Sequence, residues 1–200
     1  MDIFKYGEKE INYLKNKDKK LAAAIDMIGI IEREINKDPF VALISSVVSQ
    51  QISKKAAETV WGRLVNILQV ITPESINKVE LSSIQSCGMS VRKAEYIKNV
   101  GKAAILGMVD FASLNQLTDE EIIKKLSELK GVGVWTAEML LIFSLERPDV
   151  ISYNDLAIRR GMMNLYGLKE ITKKRFAIYK KRYSPYGSIA SLYLWALSII

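Results

Sequence analysis

An all-α fold is predicted by three features of the sequence. No segment shows the sustained alternation of apolar and polar residues that is typical of a strand. The four prolines stand at apparent breaks between periodic segments, where helices begin or end. Apolar residues recur at helical spacing, and in DPFVALISSVVSQQI one stripe holds Phe40, Leu43, Ile44, Val47, Val48 and Ile52. We therefore expect roughly ten helices joined by short loops.

Two of the predicted helices carry clear start signals. Thr72, followed by Pro73 and Glu74, supplies an N-cap and a first helical turn. The segment TDEE, from Thr118 to Glu121, has the pattern of a capping box ahead of an apolar run. These signals are local, so they predict helices that begin directly after Thr72 and Thr118.

The net charge of +7 is concentrated near the C-terminus. Residues 151–200 carry nine basic and two acidic side chains, whereas residues 1–150 carry 20 of each. Most charged runs are simply solvated helix surface. Such a concentration nevertheless favours a polyanionic partner, of which nucleic acid is the commonest.

Several classes of protein are excluded by composition. A single cysteine, Cys87, rules out an internal disulfide, and with no histidine the chain lacks the usual ligand clusters for zinc or iron–sulfur groups. We expect no cofactor and no histidine acid–base chemistry. No apolar run is long enough for a membrane helix, and the charged N-terminus is unlike a signal peptide. A cytoplasmic protein is expected, associated with the nucleoid in a prokaryote.

The segment LKGVGVWTAE places two glycines between two apolar helical runs. We expect one helix to end near Leu129, another to resume by Trp135, and both Gly131 and Gly133 to adopt positive φ. The amides exposed at the start of the second helix would favour an anion such as a DNA phosphate. For either glycine alone, a C-cap or a packing role is the simpler interpretation.

The chain resembles a known family at this point. LKGVGVWTAEMLLIF, followed by ISYNDLAIRRG, is similar to the helix–hairpin–helix plus Gly/Pro…Asp signature of the base-excision DNA glycosylases. Within that superfamily it most resembles the alkylation-repair branch, 3-methyladenine DNA glycosylase II. The resemblance includes VVSQQISKKAAETV and CGMSVRKAEYIKNVGKAA upstream and YSPYGSIASLYLWAL downstream. It covers roughly residues 38–200.

The resemblance implies a fold and a partner. It implies two helical lobes with the lesion pocket in the cleft between them. Residues 36–150 would form the central lobe that ends in the helix–hairpin–helix, and residues 1–35 with 151–200 the lobe that carries the catalytic aspartate. The partner would be double-stranded DNA containing a damaged base, with no membrane, bound by a monomer.

Asp155 is the candidate catalytic residue. It stands at a helix start, where the amides and the helix dipole favour an ionised carboxylate, and on sequence grounds alone it would be a common N-cap. The resemblance makes it the group beside the anomeric carbon. At position 135 the bifunctional relatives carry a Schiff-base lysine, whereas this chain carries Trp135. We therefore expect base release that leaves an abasic site and no strand cleavage.

The resemblance assigns further roles by position. Gln50 and Gln51 would form the DNA wedge, and Trp195 would line the base pocket or pack in the core. Gly187 stands where relatives often carry arginine. The base pocket would contain Trp135, Met139 and Trp195. The phosphate-binding hairpin would comprise Lys130, Gly131, Val132, Gly133, Val134 and Thr136. The carbonyls of Ser127, Leu129 and Val132 would hold a monovalent cation in such a hairpin.

Two alternative functions remain open on the sequence. One is a glycosylase for uracil, hypoxanthine or an oxidised purine. The other is a non-catalytic helix–hairpin–helix module that binds damaged DNA. Asp155 favours an enzyme, because a pure DNA binder has no need of a carboxylate beside phosphates.

Overall fold

The computed structural model describes residues 2–199 and confirms the all-α prediction. None of the helices within these residues is long and apolar enough to cross a bilayer. Two strands of two residues each, β1 Asp2–Ile3 and β2 Glu34–Ile35, pair antiparallel and are too short to show an alternating pattern. The helices are α1 Glu8–Lys17, α2 Lys19–Ile28, α3 Pro39–Ser49, α4 Lys54–Leu68, α5 Pro73–Lys78, α6 Leu81–Ser86, α7 Val91–Ile105, a 3₁₀ helix Phe111–Gln116, α8 Asp119–Ser127, α9 Val134–Phe143, α10 Leu156–Tyr166, α11 Lys173–Tyr183 and α12 Gly187–Leu197.

Both predicted helix starts are confirmed. The Thr72 hydroxyl accepts the Ser75 N–H at 3.1 Å, and α5 begins at the next residue. The Thr118 N–H donates to the Glu121 carboxylate at 2.8 Å, which completes the capping box of α8. A cap satisfies N–H groups that have no partner within the helix, so it fixes where the helix begins.

The stripe predicted along α3 is buried except at its end. Phe40, Leu43, Ile44, Val47 and Val48 are all buried, as the helical spacing predicts. The expectation for Ile52 is wrong: α3 ends at Ser49, and Ile52 is 40% exposed beyond that end. Helical spacing predicts a shared face only within the helix, so it does not predict burial for a residue beyond the last turn.

The chain divides into two compact units. The middle unit comprises Asn36–Leu140, and the terminal unit comprises the chain up to Ile35 together with the chain from Leu141 onward. The division falls inside α9. Residues 141–150, which the expected central lobe included, belong to the terminal unit. The assignment of these units as the two lobes of a glycosylase stays a prediction.

In the middle unit, α7 is the helix against which the others pack. It contacts α3, α5 and α6. A Cβ atom built on Gly101 of α7 would lie 2.8 Å from Cγ2 of Ile76, so the absent side chain permits close packing with α5. Hydrogen bonds from Lys93 and Lys98 of α7 reach the C-terminal ends of α3 and α5.

The terminal unit is built around the crossing of α10 and α12. A Cβ atom on Gly161 of α10 would lie 1.8 Å from the carbonyl oxygen of Leu194 in α12. Helix α2 packs against both of these helices. Only glycine therefore fits at position 161 if α12 keeps its place.

Gly161→Ala should destabilise the protein strongly. The added methyl group collides with a backbone oxygen rather than a flexible side chain, so we expect a loss of about 3 kcal/mol in the free energy of unfolding. Chemical denaturation monitored by circular dichroism would measure it.

Gly62→Ala in α4 is the matched control. A Cβ atom there would meet no heavy atom within 4 Å, so alanine should raise the free energy of unfolding by roughly 0.5–1 kcal/mol. Equal effects of the two substitutions would refute the close packing of α10 against α12.

Candidate functional site

Asp155 is the N-cap of α10 and is 6% exposed. Its Oδ1 accepts the Ile158 N–H at 2.9 Å, and its Oδ2 accepts the Trp195 indole N–H at 3.2 Å. Each carboxylate oxygen therefore has an N–H donor that sets its position. The structural role that the sequence suggested and a catalytic role are compatible, because the cap uses only one oxygen.

Trp195 is half-buried in α12 and contacts Asp155 and Phe143. In addition to its hydrogen bond to Asp155, its ring lies 5.3 Å from the ring of Phe143, centroid to centroid, at an angle of 32°. Its indole N–H thus contacts the candidate catalytic carboxylate, and its role in a base pocket stays a prediction. No local sequence pattern predicts the contact of Phe143, because its partner Trp195 lies more than 50 positions away.

Gly187 is explained by its contact with Asp149. The Gly187 N–H donates to Oδ1 of Asp149 at 3.0 Å, and a Cβ atom at position 187 would lie 2.7 Å from the same oxygen. Asp149 also accepts a hydrogen bond from the Ser184 hydroxyl. An arginine at position 187 would require this carboxylate to move.

The connection between α8 and α9 turns sharply at Gly131. This residue has φ +89°, and a Cβ atom on it would lie 2.2 Å from Cδ2 of Tyr96. Gly133 differs: it does not adopt positive φ, and a Cβ atom on it would meet no heavy atom within 4 Å. The expectation of positive φ at both glycines is therefore correct for Gly131 and wrong for Gly133, whose carbonyl accepts the Ala137 N–H at the start of α9.

The start of α9 presents both a buried and an exposed face. Val132 and Thr136 are each 4% exposed and anchor the turn. The exposed residues are Lys130, Gly133, Val134 and Trp135, of which Val134 is 42% and Trp135 is 41% exposed. A helix N-terminus with an adjacent lysine and uncovered backbone can bind an anion.

The turn after α3 holds Gln50 and Gln51 in different environments. Gln51 is exposed and has φ +57°, a conformation that residues other than glycine seldom adopt. The Gln50 side chain donates to the Gly131 carbonyl at 2.9 Å and to the Thr136 hydroxyl at 3.4 Å. Gln50 thus ties this turn to the hairpin, whereas Gln51 projects from it.

Lys93 of α7 fixes the same turn from the other side. Its ammonium group donates to the carbonyls of Val48 and Gln50 at 2.7 and 2.6 Å. Burial lowers the pKa of Lys93 from its usual value. Lys93 stands in a segment that supported the resemblance, but its role depends on a contact between distant residues and was not predicted.

The remaining predicted pocket residues lie on α9 in the middle unit. Met139 is 8% exposed and packs in the core, whereas Trp135 is substantially exposed near the helix start. Trp195, the third, belongs to the terminal unit. Their joint role at a damaged base stays a prediction.

The predicted cation site consists of backbone oxygens only. The carbonyl of Leu129 accepts the Val132 N–H at 3.0 Å and keeps a second lone pair. Its part in a cation site, together with the carbonyls of Ser127 and Val132, stays a prediction. Carbonyl oxygens are among the ligands that hard cations take. Among residues 2–199 no cluster of three His, Cys, Asp or Glu residues could hold a metal ion.

The fold and these motifs define a class of DNA repair protein. Residues 44–185 match the family described as the HhH-GPD superfamily base excision DNA repair protein. The chain belongs to this superfamily.

Similar sequences carry a more specific description. The chain is 38% identical over 167 residues to DNA-3-methyladenine glycosylase 1 of Schizosaccharomyces pombe, which covers 81% of this chain and 73% of that protein. It is 28% identical over 162 residues to a putative DNA-3-methyladenine glycosylase of Bacillus subtilis, covering 76% and 56%. The resemblance to the alkylation-repair branch is confirmed.

Solved structures extend the likeness to almost the whole chain. The DNA-3-methyladenine glycosidase of Bacillus halodurans superposes with a TM-score of 0.87 at 36% identity, covering 99% of this chain and 93% of that one. The 3-methyladenine DNA glycosylase of Schizosaccharomyces pombe in complex with abasic DNA gives 0.84 at 33% identity, covering 96% and 97%.

Gly133→Ala should weaken DNA binding without unfolding the protein. The new methyl group has space and no strained φ, but it covers the backbone where a phosphate would approach the start of α9. We expect roughly a tenfold higher Kd for duplex DNA, equivalent to about one lost hydrogen bond to a charged group. Fluorescence anisotropy would measure it.

Gly131→Ala provides the contrasting control. Its methyl group collides with Tyr96 and its φ is positive, so this variant should instead lower the melting temperature. Normal DNA affinity in a fully folded Gly133→Ala variant would show that the backbone at position 133 is not a phosphate contact.

Proposed function

We propose that the chain is a monofunctional DNA glycosylase that hydrolyses the N-glycosidic bond of alkylated purines and leaves an abasic site. Membership of the base-excision superfamily supports this, as do the relatives named 3-methyladenine glycosylases. The single observation that carries the proposal is the carboxylate of Asp155, which is buried and held by one N–H donor on each oxygen.

Asp155 would stabilise the sugar as the base departs. Cleavage of a glycosidic bond passes through a state with oxocarbenium character, which a fixed carboxylate stabilises electrostatically. The bonding electron pair leaves with the base, and a water molecule adds to the anomeric carbon and loses one proton to the surrounding solvent. Because Ile158 and Trp195 hold the carboxylate, it need not reorganise during this step.

The choice of substrate follows from the groups that the chain offers. No histidine is present to protonate a neutral leaving group, and an alkylated purine is already cationic and leaves readily. The aromatic faces of Trp135 and of Trp195 each suit a cationic base, a contact worth about 1–2 kcal/mol when desolvated. Tryptophan at position 135 cannot form a Schiff base, which supports the absence of strand cleavage.

Duplex DNA would be held and distorted by the middle unit. The hairpin would receive a phosphate at Lys130 and the start of α9, without reading sequence. Gln51 would enter the base stack to replace the nucleotide that is flipped out, at a cost of a few kcal/mol. Its exposure and its positive φ support that role.

Gln50 and Lys93 would act as positioning residues for this wedge. Gln50 joins the wedge turn to the hairpin carbonyl of Gly131, and Lys93 holds the carbonyls on either side of Ser49. The wedge and the phosphate contact would therefore move as one body.

One chain carries the hairpin, the wedge and the aspartate, which supports action as a monomer. Its site of action would be the chromosomal DNA, in the nucleoid if the source is a prokaryote.

Asp155→Asn should abolish base release while leaving lesion binding nearly intact. Asparagine is an equally good N-cap, so the fold should survive, but the stabilising charge is lost. We expect single-turnover release of 3-methyladenine or 7-methylguanine from methylated duplex DNA to slow by roughly 100-fold or more. Chromatography of the freed bases would measure it.

Asp149→Asn is the control, because it removes another carboxylate of the terminal unit, one that accepts hydrogen bonds from the Ser184 hydroxyl and the Gly187 N–H. This variant should retain base release. Unchanged release by Asp155→Asn would refute its catalytic role. If the wild type releases only uracil, hypoxanthine or an oxidised base, that base is the substrate and not an alkylated purine. If the wild type binds lesion DNA but releases no base, the non-catalytic module is favoured.

Lys93→Met should slow base flipping. Loss of a charged donor to two carbonyls should lower the free energy of unfolding by about 2 kcal/mol and release the Gln51 turn. The fluorescence of 2-aminopurine next to the lesion would report flipping in stopped-flow measurements, and Lys93→Arg should restore part of the rate.

Lys98→Met separates positioning from stability. Lys98 donates to the carbonyls of Ile76, Asn77 and Val79 at the end of α5, so its loss should destabilise the protein by a similar amount. It does not contact the wedge turn, and flipping should be unaffected. Equal flipping rates for the two variants would contradict the positioning role.

A further inference from the structure

The excess positive charge of the C-terminal quarter is concentrated on one helix. Helix α11 has the sequence KKRFAIYKKRY and contains no acidic residue. Its cations are Lys173, Lys174, Arg175, Lys180, Lys181 and Arg182. The hairpin and Asp155 make no use of this charge, so the proposed reaction does not explain it.

The buried and exposed faces of α11 are cleanly separated. Phe176, Tyr179 and Tyr183 are buried within the terminal unit. Lys174 and Lys181 lie on the opposite side, seven positions apart and so on one face of the helix. No ion pair joins Lys174, Arg175, Lys180 or Lys181 to any residue of the described chain 2–199.

At its C-terminal end α11 meets more positive charge. Arg182 pairs with Asp18 at 2.5 Å, at the junction of α1 and α2, and the Tyr166 hydroxyl also donates to that carboxylate. Asp18 is only 4% exposed. Burial opposes its ionisation, but hydrogen bonds from Tyr166, the Leu21 N–H and Arg182 outweigh this and lower its pKa. The negative charge of Asp18 is therefore paired with buried donors and does not offset the charge of its neighbours. Those neighbours, Lys17, Lys19 and Lys20, are exposed.

At its N-terminal end α11 contacts Tyr153. Lys173 lies 5.6 Å and Arg159 5.1 Å from the centroid of the Tyr153 ring, and Tyr153 precedes Asp155 by two residues. From there the helix extends for 11 residues, about 16 Å, which is the axial rise of roughly five base pairs.

We propose that the exposed cations of α11, together with Lys17, Lys19 and Lys20, form a second DNA-binding surface for the phosphate backbone of undamaged duplex. We call it the α11 surface. It rests on the proposed function only in taking DNA as the polyanion, and it holds DNA outside the damaged nucleotide. Lys174 and Lys181, which have no ion-pair partner among residues 2–199, suit contacts that carry no sequence information. Lys17 and Lys20 lie over the rings of Tyr13 and Tyr166 and keep their ammonium groups exposed.

Other partners fit this surface less well. A membrane-surface helix needs an exposed apolar face, but the apolar face of α11 is buried in its own unit. Ile178, at 56% exposure, is the one large apolar side chain exposed on α11. An acidic protein remains the alternative that the test addresses.

The test is the salt dependence of binding to a long undamaged duplex by the full chain. Each phosphate contact contributes a slope of about 0.9 to log Kd against log salt concentration. Lys174→Gln with Lys181→Gln should therefore lower the slope by roughly 2 and weaken binding at low salt by roughly tenfold or more. The readout is binding alone, so it does not depend on whether the wild type releases any base.

Lys78→Gln with Lys102→Gln is the matched control. It removes the same charge from exposed lysines of α5 and α7 in the middle unit and should leave the slope unchanged. An unchanged slope for the α11 variant, or an equal decrease in both variants, would overturn the proposal. The first of these results would leave an acidic protein as the partner of this surface.

Discussion

The packing of α10 against α12 is the constraint on which the candidate catalytic group depends. Gly161 leaves room for the Leu194 carbonyl, where a Cβ atom would approach to 1.8 Å. Because Trp195 follows Leu194, the same approach brings the indole N–H within 3.2 Å of Asp155. A mid-helix glycine costs about 1 kcal/mol in helix propensity. Here that cost is offset by a contact that no larger residue would allow, and the carboxylate gains its second fixed donor.

The middle unit fixes the turns after two of its helices by a different physical means, with lysines at helix C-termini. Lys93 binds carbonyls at the end of α3, and Lys98 binds carbonyls at the end of α5, and both project from α7. The partial negative charge at a helix C-terminus favours such cations. The two lysines make similar contacts, yet only the first is joined through Gln50 to the hairpin. One helix therefore supplies both a purely structural cap and a cap that bears on the proposed wedge.

The sequence predicted those features whose causes lie within a few residues. The caps at Thr72 and Thr118 and the buried stripe of α3 are of this kind, and the hairpin motif identified the family. The missed features depend on contacts between distant positions. Asp155 and Trp195 are 40 residues apart, and Gln50 and Gly131 are 81 apart. The roles of the two hairpin glycines differ for the same reason. Of the two, only Gly131 packs against Tyr96, a contact between distant positions that no local pattern predicts.

The substrate proposal depends on what Asp155 can and cannot do. Both of its oxygens accept N–H donors, an arrangement that suits a charged acceptor better than a proton donor. A neutral base would need a proton before leaving, and the chain contains no histidine to give one. A purine alkylated on its ring nitrogen already carries a positive charge and needs no proton before it leaves. The discrimination proposed for this enzyme would thus originate in the leaving group, and the protein would contribute a fixed carboxylate and aromatic faces that favour the cation.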